Sequence, residues 1–240
     1  MIDSRLRAVD DGKAQRDPER RRMADEVAAS FSPSPVDRDR GDHPFSVIGD
    51  PVLAVADKRR GLLAVAGADE YDEARTIGVF HVTDRARLRR LLRSEFPVHA
   101  MAFHPTRPLL AVGTGEYDGG YFFEGELLLV DLETGTTRSL IEHALGRLVL
   151  GVDWLDDRDL RVLMAPPDDW KDPKAHAEGH VAVVSRADWT AVGAGSLTGR
   201  DLAGPRVPAP RPDGRAAARK VVAGLMAPQS RRHHAKGKRG

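Results

Sequence analysis

At 240 residues, 41% of them apolar and with a formal net charge of +1, the chain is long enough for one sizeable core or two small ones. It has no cysteine, which excludes disulfides, thiolate nucleophiles and thiolate-bound zinc. No run approaches the roughly 18 apolar residues of a membrane-crossing helix, and the start, MIDSRLRAVDDGK, has no apolar core of a secretory leader, so a cytoplasmic protein with no membrane partner and no cofactor is expected.

Residues 1–43 are dense in charge and poor in side chains that could build a core. They read as a solvated arm. One helix is the alternative over DPERRRMADEVAASF, with Asp17 as N-cap, Pro18 at the first helical position and Met23, Val27 and Phe31 at helical spacing. SPSPVDRDRGDHP reads as a linker.

From Phe45 the pattern changes, and residues 44–198 form the predicted folded domain. Apolar runs of four to eight residues, rich in Val and Leu, are broken by Gly, Pro and Asp, which is the punctuation of strands. In RARLRRLLRSEF, Leu88, Leu91 and Leu92 could lie on one side of a short helix, but its start reads as a strand. Residues 199–240 read as a basic, Pro- and Arg-rich disordered tail, with a short helix weighed over RAAARKVVAGLM. From Pro205 onward ten Arg and Lys face one acid, Asp213, so the rest of the chain is acidic by nearly as much.

Within 44–198 one pattern recurs three times, starting at Val52, Val98 and Val149. Each copy has an alternating strand, a tight polar turn (DKRRG, HPTRP, DDRD), a second apolar strand, a variable loop and a third strand ending near Asp or Thr. A spacing of about 46 to 51 residues is that of propeller blades. A blade is a small antiparallel sheet held between its neighbours, so its inner strands are apolar on both faces, as in LLAVAG and LLAVG. Ala66, Gly67 and Gly113 are small enough for close sheet-on-sheet approach.

AFHPTRPLLAVG and LLLVDLETG resemble the strand–turn–strand and third strand of the WD40 β-propeller family, in its divergent bacterial form. The resemblance covers about Phe45 to Leu197. In place of the Trp-Asp pair that closes the third strand stand Thr83-Asp84, Val130-Asp131 and Asp188-Trp189, and the only Gly-His pair, Gly179-His180, falls before a third strand. The resemblance implies an all-β fold of three WD40-like β-propeller blades between disordered termini. Closed propellers have about four to eight blades. The array is therefore incomplete, completed by a second copy, extended by a divergent blade from the N-terminal arm and the segment after Trp189, or a shortened relative of a longer propeller.

The three loops between second and third strands hold much of a scarce aromatic supply beside acids. Tyr71 and Asp72 lie in the first, Tyr117, Asp118, Tyr121, Phe122 and Phe123 in the second, and Trp170 in the third. These form a candidate acidic, aromatic rim for a basic or amphipathic protein partner. The plainer reading packs Phe122 and Phe123 between blades and leaves the acids to solubility. His176 and His180 stand in HAEGH rather than H-E-x-x-H, and His233 and His234 lie in the tail, so no metal site is expected. GTGEYDGG lacks the spacing and the Lys-Ser/Thr of a phosphate loop and reads as a turn, while EYDGG lacks the alternating ligands of an EF-hand. There is no G-x-S-x-G, and no acid pair is marked as general acid and base. In the tail, Arg231, Arg232, Lys236, Lys238 and Arg239 could tether nucleic acid without sequence preference, or fold back onto the acidic rim. The expected function is a non-catalytic protein-interaction scaffold. The resemblance also implies an alternative, a metal-dependent hydrolase or lactonase with its site in a propeller channel.

Overall fold

The computed structural model describes residues 44–68, 73–82, 86–117, 123–144, 147–166, 174, 177–210 and 213–226. The first blade is a meander of β1 (Asp50–Asp57), β2 (Leu62–Ala68), β3 (Thr76–His81) and β4 (Arg87–Arg93). The second is built from β5 (Val98–Phe103), β6 (Leu109–Thr114), β9 (Leu127–Asp131) and β10 (Thr137–Ser139), with a small hairpin of β7 (Glu116–Tyr117) and β8 (Phe123–Glu124) between its second and third strands. The third has β11 (Val149–Trp154), β12 (Asp159–Met164), β13 (Glu178–Ser185) and β14 (Arg206–Pro208). All pairings within the blades are antiparallel. The described residues thus form an all-β, propeller-like array of three blades.

The second strands show why the sequence folds this way. LLAVAGA in β2 and LLAVGT in β6 are buried along their whole length, since both faces meet a neighbouring layer. Leu62, Ala64, Ile77 and Val79 of the first blade pack on Met101, Leu110, Val112 and Val130 of the second. On the other side of the second blade, Leu109, Ala111, Leu127 and Leu129 pack on Leu160, Val162 and Val184 of the third. The approach is close at the small residues. A Cβ on Gly113 would lie 2.6 Å from Val149 Cγ1, and one on Gly67 would lie 1.9 Å from the Ile48 carbonyl oxygen.

The turns joining first and second strands are pinned by one device in three chemistries. Asp57 Oδ1 accepts the N–H groups of Arg59 and Arg60 at 3.0 and 3.1 Å. Asp156 Oδ1 accepts those of Arg158 and Asp159 at 2.7 and 2.8 Å. In the second blade His104 takes the aspartate's place, and its Nδ1 accepts from Thr106 and Arg107 at 3.2 and 3.0 Å. A side-chain acceptor bonding N–H groups two and three residues on replaces backbone partners that a tight turn leaves unmade.

These turns also fasten the blades to one another. Arg60 holds Asp57 and donates to the carbonyls of His104 and Arg107 in the next blade. His104 Nε2 donates to the Asp157 carbonyl at 3.0 Å and Trp154 Nε1 to the Ala102 carbonyl at 3.1 Å, tying the second blade to the third. Because Nδ1 only accepts, the proton sits on Nε2 and the ring is neutral. Burial, with the charges of Arg60 and Arg107, holds the His104 pKa below its usual value against the opposing pull of Asp157. The unfolded chain therefore binds more protons between about pH 6.5 and the lower folded value. This contribution to stability is whole above pH 6.5 and is lost as the pH falls through that window. Melting temperatures measured from pH 8 to 5 are expected to decline below 6.5, and His104→Asp, which restores the acceptor of the other two turns, is expected to flatten that part of the slope. An unchanged slope would assign the acid sensitivity elsewhere.

The register moves two features of the sequence reading. Leu62, Leu109 and Asp159 pair with His81, Asp131 and Ser185, so the third-strand closing pairs are Phe80-His81, Val130-Asp131 and Val184-Ser185. Of the predicted three, Val130-Asp131 stands there, and Thr83-Asp84 lies outside the described residues. Asp188-Trp189 lies beyond the end of β13, where Asp188 caps a short 3-10 turn and Trp189 is driven into the core between the second and third blades. Gly179 and His180 are inside β13, not ahead of it. Among the described residues, those beyond Trp189 build no further blade: β14 closes the third one, and Leu197 bridges in parallel to Ile141 beside β10. Part of the stretch read as tail is therefore folded, and the helix weighed over RAAARKVVAGLM is present as α1 (Arg215–Met226).

The two ends of the array are finished differently. The outer face of the first blade (Leu63, Val65, Phe80) is covered by Phe45 and Ile48 and by Val222 of α1. The helix is tied there by a two-pronged Arg219–Asp50 bond, and Asp213 accepts the Arg215 N–H at its start. At the other end the third blade's outward face is mixed: Leu163, Val181 and the exposed Val183 lie beside charged positions. Where Val55 and Ala64 or Ala102 and Ala111 face a neighbouring blade, the matching pair is Asp153 and Arg161, bonded at 2.6 Å, and Leu62 and Leu109 are matched by Asp159.

Candidate functional site

The rim that carries the loops between second and third strands is best described in the second blade. Thr114 and Glu126 staple the loop's base. Thr114 N donates to the Glu126 carbonyl at 2.9 Å, and Glu126 N donates to Thr114 Oγ1 at 3.0 Å. Gly115, at φ +152°, and Gly125 lie back to back inside this staple. A Cβ on Gly115 would meet the Glu124 carbonyl oxygen at 2.5 Å, and one on Gly125 the Thr114 carbonyl oxygen at 2.3 Å. Neighbouring segments hold the base further: Gly115 N bonds Pro97 O at 2.9 Å, His99 Nε2 bonds Gly115 O at 2.6 Å and Gly125 N bonds Ala144 O at 3.2 Å. Arg75 of the first blade reaches across to Glu116 at 2.8 Å while holding Glu73 at 2.5 Å.

On this base stands the β7–β8 hairpin, pairing Glu116 with Glu124 and Tyr117 with Phe123. Phe123 is buried against Leu148, Ala165 and Leu150, between the second and third blades. It is an anchor, as the plainer reading of the sequence has it. Tyr117 packs on it at 5.5 Å between ring centroids and stays 39% exposed. Among its described residues the hairpin thus presents the Tyr117 ring on a pinned base, flanked by Glu116 and Glu124. The other predicted contact residues, Tyr71, Asp72, Asp118, Tyr121, Phe122 and Trp170, lie outside the described residues, as do Arg231, Arg232, Lys236, Lys238 and Arg239.

Charge on the described part of this rim is lopsided. Glu73, Glu95, Glu116, Glu124, Glu126, Glu142 and Glu178 stand with Arg75, Arg93, Arg147, Lys174 and Arg206. Arg75 is taken up by Glu73 and Glu116, and Arg206 by Glu178. Burial pushes the Glu126 carboxyl above its usual value; the Ser139 hydroxyl works against this and the Glu95 charge adds to it.

The opposite rim holds the residues that sequence reasoning missed. His104 and Trp154 stack at 4.4 Å, and Trp154 and Trp189 meet edge to face at 5.0 Å and 88°. Beside them lies a cleft of about 300 Å³ lined by His104, Arg107, Asp157, Arg158, Asp188 and Trp189. Its best acid–base candidate, His104, spends both ring nitrogens on backbone groups, and Asp188 is spent on Thr190. The signal that could have found His104 is its alignment with Asp57 and Asp156. Among the described residues no group of three His, Asp or Glu is placed to hold a metal ion.

No protein-family model matches the chain, and no curated protein matches it in sequence. Among solved structures, 92 chains match its fold. One is oligopeptidase B from Trypanosoma brucei with covalently bound antipain, in a closed form, which aligns over 59% of this chain at 14% identity with a TM-score of 0.37. The aligned part is 19% of that protein's length, so this chain spans only a small portion of it.

Proposed function

We propose that the chain is a non-catalytic protein-interaction scaffold of the WD40-repeat type, which takes a basic or amphipathic segment of a partner on its loop rim. The observation that carries this reading is the β7–β8 hairpin, where a half-exposed Tyr117 is held on a buried Phe123 anchor between Glu116 and Glu124. A pinned aromatic ring loses little freedom on binding, and tyrosine is among the residues that dominate interface energies. The surrounding glutamates attract a cationic surface and speed its approach.

The test uses an amphipathic, lysine-rich peptide as probe and calorimetric titration as readout. Binding is expected to weaken as salt rises. Tyr117→Ser should cost about 2 kcal/mol, roughly a 30-fold loss. Glu124→Lys should slow association while leaving the melting temperature unchanged. A photo-crosslinking residue at position 117 in the full chain should then trap the cellular partner. Affinity that is the same in both variants as in the parent would overturn the reading.

A further inference from the structure

The outermost strands of the three blades differ in how their free edges are finished. β10 has three residues, and the segment 195–197 lies along it through Gly195 N to Ser139 O at 3.0 Å and Leu197 N to Leu140 O at 2.8 Å. β14 also has three residues. β4 has seven, and among the described residues no backbone group pairs with its outer side. Short or covered edges are the usual protection against unwanted strand pairing. β4 has neither.

Its backbone geometry can be read from the ladder. Ser94 N donates to Arg75 O at 2.8 Å, which makes those two a hydrogen-bonded pair, and the register then runs Thr76–Arg93, Ile77–Leu92 and Gly78–Leu91. Alternation along an antiparallel ladder turns the N–H and C=O of Leu91 and Arg93 away from β3, toward the open edge. The same two residues carry exposed side chains, Leu91 at 51%. Arg89 and Arg90 are used otherwise, donating to the Leu132 and Glu133 carbonyls of the second blade. A register shift at Val79/Phe80 leaves Arg90–Arg93 as the regular stretch.

We propose that β4 is a docking edge for an extended, acidic segment of a protein partner, which joins the first blade as a fifth strand. The strand RLRRLLR carries four arginines and no acid. A second copy pairing edge to edge would set arginine against arginine, which is destabilising, so the occupant carries the opposite charge. Main-chain bonds at Leu91 and Arg93 supply the pairing. Exposed Leu88 and Leu91 receive apolar side chains, and Arg93, on the same face, selects a carboxylate two residues further along that face of the added strand. The site runs along the blade edge away from the loop rim, which it meets at Arg93, and does not rest on the scaffold reading.

The probe is a blocked nine-residue peptide, Thr-Val-Thr-Glu-Thr-Glu-Thr-Val-Thr, whose valines and glutamates share one face, labelled for fluorescence anisotropy against the full chain. Saturable, salt-sensitive binding is expected, with slowed amide exchange at Leu91 and Arg93. Leu91→Pro removes an N–H that no ladder bond uses, so it should weaken binding by about tenfold without lowering the melting temperature. Arg93→Glu, which leaves the backbone intact, should do the same, and the same peptide with Lys in place of Glu should not bind. Peptide affinity that Arg93→Glu leaves unchanged would overturn the proposal. So would binding that survives Leu91→Pro and is displaced by single-stranded RNA of equal charge, since that would make the edge an electrostatic surface and not a strand acceptor.

Discussion

Trp189→Ala is expected to lower the melting temperature by about 10 °C, the largest effect of any single side-chain truncation in the array. Trp189 is 1% exposed and is among the largest fully buried side chains among the described residues. Its ring packs on Trp154, and its Nε1 donates to the Arg158 carbonyl at 2.8 Å. Truncation leaves a cavity where the turn of the third blade meets the core shared with the second. Losses for buried Trp→Ala run to about 3–5 kcal/mol, and in a domain of this size each kcal/mol moves the midpoint by about 2–4 °C. Trp189→Phe keeps most of the packing and removes one of two donors to that carbonyl, which Arg186 N still bonds at 3.0 Å, so its cost should be nearer about 1 kcal/mol. Thermal unfolding followed by calorimetry separates the two variants. A Trp189→Ala midpoint within 2 °C of the parent would mean that the excursion beyond β13 is not part of the cooperative core.

Gly67→Ala carries the second large effect. An added methyl would sit 1.9 Å from the Ile48 carbonyl oxygen and 2.7 Å from its carbon. Neither atom belongs to a flexible side chain, so the 3-10 turn of Ser46–Ile48 must lift away from β2. That movement withdraws Phe45 and Ile48 from Leu63, Val65 and Phe80. Overpacking of this kind costs about 3 kcal/mol. The expected result is a midpoint lowered by about 6–10 °C together with early proteolytic cleavage near residues 44–49. Gly193→Ala is the control, since nothing lies within 4 Å of the added carbon there, and it should stay within about 0.5 kcal/mol of the parent. Equal midpoints for the two variants would show that the close approach of turn and strand does not bear on stability.

What the sequence made legible follows from the range over which each feature is determined. Strand alternation, the polar turns and the repeat are local, and all three blades are found where the pattern puts them. The start of RARLRRLLRSEF is a strand because its leucines pair into a sheet edge, not because they share a helical face. Asp188-Trp189 could not be placed locally. Its position depends on residues 186–205 leaving the sheet, bridging to Ile141 of the second blade and returning as β14. The helix α1 was visible in its alanines. Its docking was not, because it turns on Ala218 and Val222 meeting a blade face far back in the chain. On the loop rim the acidic character was legible from composition. The division of labour within one aromatic pair was not, since only packing decides that Phe123 is the anchor and Tyr117 the surface.

The bond between Arg219 and Asp50 spans 169 positions in the chain. During synthesis the first blade emerges early, with one greasy face that Phe45 and Ile48 cover only in part until α1 has been made. Loop closure over such a distance is slow compared with pairing inside a meander. The nascent chain therefore passes through a stage at which nearly all its strands are in place and a sticky surface is still wet. A chaperone that holds emerging chains would find its target there, and release would wait on the arrival of a dozen residues.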